Sequence, residues 1–225
     1  MSFWNDPQVV ATFAAREVDH RLRELAGTFA VPATTRVLDL GCGGGRNAVW
    51  LAVRGFDVWA VDASVAMVAE TRRRLAAIQG ESEASRRCTH QAMDRLDPFE
   101  SGSFDLVVAF GVLQSAASAG EWNRALTETS RVLAPGALLM VANFTPRMDP
   151  GGTGLRSVPG SPHVYEGFAS GRSYLLDGPD LDAAFGEHGL KPWVPTRIVE
   201  RPTEKGNRST ANALYVKRGG RASAW

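Results

Sequence analysis

The sequence predicts an α/β fold, a doubly wound and mostly parallel sheet with helices on both faces. Three observations carry this. Short apolar runs alternate with helical periodicity through the first 144 residues. Several runs are continuously apolar, as in Leu106-Val107-Val108-Ala109-Phe110, which suits strands covered on both faces. A glycine cluster, Gly41 to Gly45, separates the first such run from the helical stretch after it. In open sheets of this kind ligands bind outside the C-terminal strand ends, near the switch point.

The elements follow in order. Residues 7–29 predict one helix, because Val10, Phe13, Val18, Leu22 and Leu25 recur at spacings of three to five. Gly27 weakens its end and Pro32 stops it. Val37-Leu38-Asp39-Leu40 predicts a strand, and Asn47 to Val53 a helix broken by Gly55. Phe56 to Val61 predicts a second strand ending on Asp62, and Val65 to Ile78 a second helix. Residues 80–87 are polar and predict a loop. Cys88 to Met93 predicts a third strand and Phe104 to Phe110 a fourth. Trp122 to Leu133 predicts a helix closed by Pro135-Gly136, and Ala137 to Phe144 a fifth strand.

Residues 145–172 differ in kind. Ten of these 28 residues are Gly or Pro. A long loop inside a compact domain is usually functional or disordered. This one leaves the end of a strand, so a substrate lid is expected. Asp180 to His188 predicts a short helix. Trp193 to Val199 and Ala211 to Val216 predict a hairpin turned near Gly206-Asn207. The tail from Arg218 is expected to be loose. Residues 1–225 therefore read as one domain, with a helical segment in 1–30 and a lid over 145–172.

Composition narrows the function. The 225 residues suffice for one core, and 44% hydrophobic with 22% charged residues is ordinary globular usage. The net charge of +1 argues against a nucleic-acid partner. Arg72-Arg73-Arg74 is the densest basic cluster and reads as a solvated helix face. No apolar run has the length of a membrane span, and Met1 to Asp6 lacks a basic-then-apolar leader. Two cysteines, Cys42 and Cys88, are too few for a disulfide scaffold. A cytoplasmic protein with thiol cysteines is expected, monomeric or homodimeric, without membrane partner or metal.

Asp39-Leu40-Gly41-Cys42-Gly43-Gly44-Gly45 is D-x-G-x-G-x-G between a strand and a helix. Glycine lets the chain turn sharply, the ligand approach the backbone and the helix pack close. Asp62 ends the second strand, where a carboxylate can accept from both hydroxyls of a ribose. Asp94 lies past the third strand, where an acid can reach an adenine amino group. Either Asp could instead cap the following helix. A dinucleotide wants G-x-G-x-x-G, whereas Asp39 ahead of the turn suits a ligand with a positive amino group.

Together these segments resemble the class I S-adenosylmethionine-dependent methyltransferases. Val37 to Gly45 is similar to their first motif, Val58 to Ala63 to the ribose motif, and Met93-Asp94-Arg95-Leu96 to the adenine motif. Phe104 to Val108 with Gly111-Val112-Leu113 resembles their fourth strand, and Arg131 to Ala137 the link into the fifth. The resemblance covers about residues 30–144. It implies a seven-stranded sheet with an antiparallel last strand, and S-adenosylmethionine as cofactor. It also implies roles. Asp39 and the Gly41 and Gly43 backbone would hold the methionine end, with Cys42 and Arg46 in the same binding set. Asp62 would hold the ribose, Ala63 and Met93 would flank adenine, and Asp94 would bind its amino group. Phe110 and Gly111 would floor the methyl site. Gln114 stands where many relatives carry His, so that base is absent.

Methyl transfer from a sulfonium depends chiefly on alignment of the nucleophile, with a base needed for a hydroxyl but not for a thiolate. His163, near Tyr165 and Glu166 in the lid, is the one histidine considered as catalytic. Gly43-Gly44-Gly45-Arg46-Asn47 is also similar to the tellurite-resistance methyltransferases, as are Arg201 and Gly206-Asn207-Arg208. That similarity implies Arg201 and Arg208 as anion-binding catalytic residues, because guanidinium forks suit oxyanions. The histidine of that family is replaced by Glu200, which puts a negative charge in the same segment. The expected reaction is methyl transfer to a small molecule at a natural-product hydroxyl, a thiol or an oxyanion. The alternatives are cofactor binding without transfer, and a nicotinamide-dependent oxidoreductase, which the glycine pattern disfavours.

Overall fold

The structure, a computed structural model, describes residues 3–219. Met1, Ser2 and the tail beyond residue 219 lie outside the described residues. Seven strands form the main sheet: β1 (Arg36–Leu40), β2 (Asp57–Asp62), β3 (Cys88–His90), β4 (Phe104–Phe110), β5 (Leu133–Phe144), β9 (Leu190–Pro202) and β10 (Asn207–Lys217). Their order is β3-β2-β1-β4-β5-β10-β9. The strands β1 to β5 pair in parallel, and β10 runs antiparallel to both β5 and β9. The last strand is thus reversed, as expected. The sheet switches direction at β1, beside β4 and β2.

Side chains alternate across each strand and feed two apolar layers. Leu38, Val107, Ala109, Leu139 and Val141 face one layer, covered by α6 (Ala119–Val132) and α7 (Gly178–Glu187). Val37, Leu106, Val108, Leu138 and Met140 face the other. That second layer is closed by α2 (His20–Ala26), α3 (Arg46–Val53), α4 (Val65–Gln79) and α5 (Glu81–Arg87).

Three expectations are corrected. The first helix is two, α1 (Pro7–Ala14) and α2, because Asp19 takes the Arg21 amide at 2.9 Å and starts a new helix. Residues 81–87 are helical rather than loop. Glu83 pairs with Arg86 and Arg87 one turn on, and Ala84 is buried in the core. The segment 145–172 is not all loop. It carries a small antiparallel sheet, β6 (Arg156–Ser157), β7 (Val164–Phe168) and β8 (Gly171–Tyr174). That sheet is anchored by Tyr174 stacking on Trp122 at 5.0 Å and by Phe168 stacking on Phe144 at 5.8 Å.

The arginine run also resolves into separate parts. Arg73 pairs with Glu70 in solvent, as expected for a helix face. Arg72 donates to the Cys88 carbonyl at 2.7 Å. Arg74 donates to the carbonyls of Ala14 and Gly44, tying α1 to the glycine turn.

Candidate active site

The C-terminal ends of β1, β2 and β4 open on a cavity of about 1610 Å³. Ligand pockets commonly measure roughly 300–1,000 Å³, so this one has room for a cofactor and a second molecule. Its wall begins at the glycine turn. The amides of Gly41 and Cys42 both donate to the Val61 carbonyl at 2.9 Å, which binds the turn to β2. A Cβ at Gly41, where φ is +69°, would lie 2.5 Å from the Val112 side chain. A Cβ at Gly44 would lie 2.6–2.7 Å from Ala14 of α1. The Val112 side chain after β4 and Ala14 of α1 therefore pack directly on the bare backbone of the turn.

Asp62 lines the cavity beside that turn. One carboxylate oxygen accepts from the Gly43 amide at 2.9 Å and the other from the Ser64 amide at 2.8 Å. Burial nevertheless raises its pKa, because removing a carboxylate from water outweighs the two amides. Each oxygen keeps a lone pair for a ligand hydroxyl. Asp39 behaves differently. It is 1% exposed, sits behind the turn rather than in the cavity wall, and accepts from the Ala48 amide at 3.0 Å. Burial pushes its pKa up to about 7, against the pull of Arg46 and the Ala48 amide.

Gly41, Cys42, Gly43, Arg46, Ala63, Met93, Phe110 and Gly111 all line the cavity, as do Arg201 and Arg208. The Cys42 thiol is held up by the neighbouring Cys88 and by burial, so it is a neutral packing group rather than a nucleophile. Besides Asp39, two expected residues are not brought to the wall. Asp94 is engaged by Arg124 at 2.8 Å, and Gln91, Ala92 and Met93 line the cavity in its place. His163 is exposed at φ 64°, its ring tilted against Tyr174 at 5.6 Å, outside the lining. The segment expected to form a lid enters the cavity instead through Phe168 and Arg172. Glu200 does not line it either. Strand alternation turns Glu200 away from Arg201, and its carboxylate meets Arg147 at 3.4 Å.

The structure adds residues that periodicity could not single out. Thr71 of α4 is wholly buried and donates to the Gly43 carbonyl at 2.7 Å, holding the turn from below. Gln114 is 5% exposed and lines the cavity, its oxygen accepting from the Phe144 amide at 2.8 Å. That bond orients the amide, so its NH₂ is the end left for a ligand. The broken N-terminal helix matters too. The link between α1 and α2 brings Arg16, Glu17, Val18 and Asp19 into the cavity wall.

A nucleoside sulfonium fits this donor set. The turn offers bare backbone, Asp62 offers two carboxylate oxygens, and Met93 offers an apolar face. Among the described residues no cluster of His, Cys, Asp or Glu is placed to hold a metal ion.

Residues 37–136 match the family model described as a methyltransferase domain. The O-methyltransferase resE of Aspergillus sclerotiorum is 27% identical over 146 residues, 64% of this chain and 52% of that protein. The ribosomal RNA small subunit methyltransferase C of Chromohalobacter salexigens is 40% identical over 119 residues, 50% of this chain and 32% of that protein. The chain thus spans about a third to a half of these relatives' own lengths. The solved 1,6-didemethyltoxoflavin-N1-methyltransferase of Burkholderia thailandensis superposes with a TM-score of 0.65 at 21% identity. That alignment covers 96% of this chain and 81% of the other, and it carries the fold alone. The segment that matches the methyltransferase-domain model, residues 37–136, holds the glycine turn, Asp62 and strands β1 to β4, and the strand order is that of a Rossmann-like methyltransferase fold.

Proposed function

We propose that the chain transfers the methyl group of S-adenosylmethionine to a small molecule. The observation that carries this is the convergence of the glycine turn and Asp62 on a cavity with space left beyond them. The cofactor supplies an electrophilic methyl group on a sulfonium. In this reading Gly41 and Gly43 lie against the methionine end, and Asp62 takes the ribose hydroxyls. Ala63 and Met93 flank the base, and Phe110 and Gly111 floor the methyl. Asp39 acts from behind, through the α3 amides, and Asp94 through its hold on the Met93 segment.

Acceptor positioning is then the remaining task, and it supplies most of the rate. Gln114 aims its NH₂ at the space beside Gly111, 3.7 Å from where a Cβ there would sit. It serves as a hydrogen-bond donor that orients the acceptor. The relatives named above are an O-methyltransferase and a ribosomal RNA methyltransferase, and the segment matching the methyltransferase model, residues 37–136, holds the glycine turn and Asp62. A small molecule is favoured here by the size of the cavity and by the segment 145–172, which lines it through Phe168 and Arg172 as a lid would. The similarity of Arg46, Arg201 and Arg208 to tellurite-resistance methyltransferases keeps an oxyanion among the acceptors, beside hydroxyls and thiols.

Calorimetry with S-adenosylhomocysteine tests the cofactor assignment, and transfer of labelled methyl across an acceptor panel tests turnover. Absence of binding would end the methyltransferase reading. Binding without turnover on any hydroxyl, thiol or oxyanion acceptor would instead favour a cofactor-binding protein.

A further inference from the structure

Arg201 and Arg208 are register partners across the β9–β10 pair, and both line the cavity. Like charges directly opposite each other on one face of a sheet are destabilising. Arg16, from the α1–α2 link, and Arg46, from the first residue of α3, line the same cavity. Arg46 lies within electrostatic reach of both Arg16 and Arg208, and Arg208 of Arg201. Partial burial first, and then this mutual repulsion, pulls the pKa of Arg16 and of Arg208 down, on Arg208 against the opposing pull of Asp19.

None of the four has an ion-pair partner among the described residues. Arg16 lies over the Phe13 ring at 3.9 Å, Arg208 over Phe144 at 5.6 Å, and Arg46 donates to the Glu17 carbonyl at 3.4 Å, with the buried Asp39 within electrostatic reach but not paired to it. Their neighbours, by contrast, are neutralised: Arg21 by Asp19 at 2.6 Å and Arg172 by Glu166 at 3.0 Å. The acids of the cavity wall are otherwise engaged or apart. Asp62 holds backbone amides, Glu121 takes the Ala117 amide, and Glu17 and Glu24 pair with none of the four.

S-adenosylmethionine cannot neutralise this cluster. Its one carboxylate is outweighed by its own ammonium and sulfonium, so it adds positive charge. We propose that Arg16, Arg46, Arg201 and Arg208 form the site for an oxyanion group, a carboxylate or phosphate, borne by the methyl acceptor itself. The inference rests on the methyltransferase reading and names its substrate class. The anion joins three separate parts of the chain, the N-terminal link, the glycine-turn helix and the terminal hairpin. Guanidinium forks bind such groups bidentately, and the aromatic rings beneath Arg16 and Arg208 hold the forks in plane. The face of Phe144 and Phe168 next to the cluster suits an acceptor with an apolar or aromatic body.

The test uses the full chain saturated with S-adenosylhomocysteine at fixed ionic strength. Inorganic phosphate and benzoate are expected to raise its melting temperature, and neutral benzamide is not. Arg16→Gln and Arg208→Gln should each abolish that shift while leaving the S-adenosylhomocysteine dissociation constant within about threefold. Arg208→Lys guards against a folding artefact: it keeps the charge, loses the fork, and should keep cofactor affinity while losing most of the shift. An equal response to benzamide, or an undiminished response in both Gln variants, overturns the proposal. So does a parallel loss of cofactor affinity, which would assign the cluster to the cofactor's carboxylate. Cofactor binding without anion preference sinks this inference alone, whereas no cofactor binding by the native chain sinks both.

Discussion

Asp39 and Asp62 stand at the ends of neighbouring strands, yet burial divides their work. Asp62 keeps its oxygens at the cavity, where each still has a free lone pair. Hydrogen bonds to a charged group are worth about 1.5–3 kcal/mol, so Asp62→Ala should weaken S-adenosylhomocysteine binding by roughly ten- to a hundredfold. Calorimetry reads this directly. Asp39 has a pKa pushed up to about 7, above its unfolded value. Its neutral form is therefore favoured in the folded chain. The stability it contributes is complete below pH ~4 and is lost as pH rises through about 7. Asn cannot ionise, so Asp39→Asn should melt higher than the native chain at pH 8 and lose that advantage at pH 4. At pH 8, where Asp39 is ionised, the same variant should bind cofactor more weakly, because a negative charge near the methionine end is gone. A melting difference independent of pH would contradict the burial argument.

At the scale of elements, the site is a meeting of segments that are far apart in sequence. Helix α1 lies so close to the glycine turn that a Cβ on Gly44 would overlap the Ala14 backbone. Gly44→Ala should push α1 outward, loosening Arg16 and the Arg74 clamp together. Faster amide exchange in residues 7–19, with cofactor affinity reduced several-fold, is the expected result. The lid makes a separate contribution. Phe168 stacks on Phe144 with an interplanar angle of 2° and lines the cavity. Phe168→Ala should raise the acceptor KM and leave S-adenosylhomocysteine affinity unchanged. A matching loss of cofactor affinity would show that the lid orders the whole cavity rather than the acceptor side.

The whole molecule depends on two apolar layers that share one sheet. Trp122 is 1% exposed, stacked on Tyr174 of the lid and 6.3 Å from Phe185 of α7. It joins the core to the lid. Trp122→Ala should cost about 3–5 kcal/mol through lost contacts and a cavity. For a chain of this size that lowers the melting temperature by roughly 6–20 °C. A change of only a degree or two would mean that the layer can collapse into the space.

What the sequence alone determined is the part that depends on local repetition. Leu106 to Phe110 reads as a buried strand because its apolar run is continuous, and Asp39 to Gly45 reads as a ligand turn because glycine spacing is local. Both stand where they were expected. Residues 81–87 were illegible because their helix rests on Glu83 pairing with two arginines, a signal that polarity masks. The break between α1 and α2 escaped for the opposite reason, since an apolar stripe persists through Val18 although Asp19 starts a new helix. Arg201 and Arg208 were singled out in the sequence, but their gathering with Arg16 and Arg46 around one cavity was decided only by the tertiary structure. Arg16, Arg46, Arg201 and Arg208 carry no common spacing, and their charges converge because α1, α3 and the terminal hairpin all end at one rim of the sheet. A motif records what neighbours along the chain must do, whereas an unbalanced charge becomes visible only when distant segments are folded together.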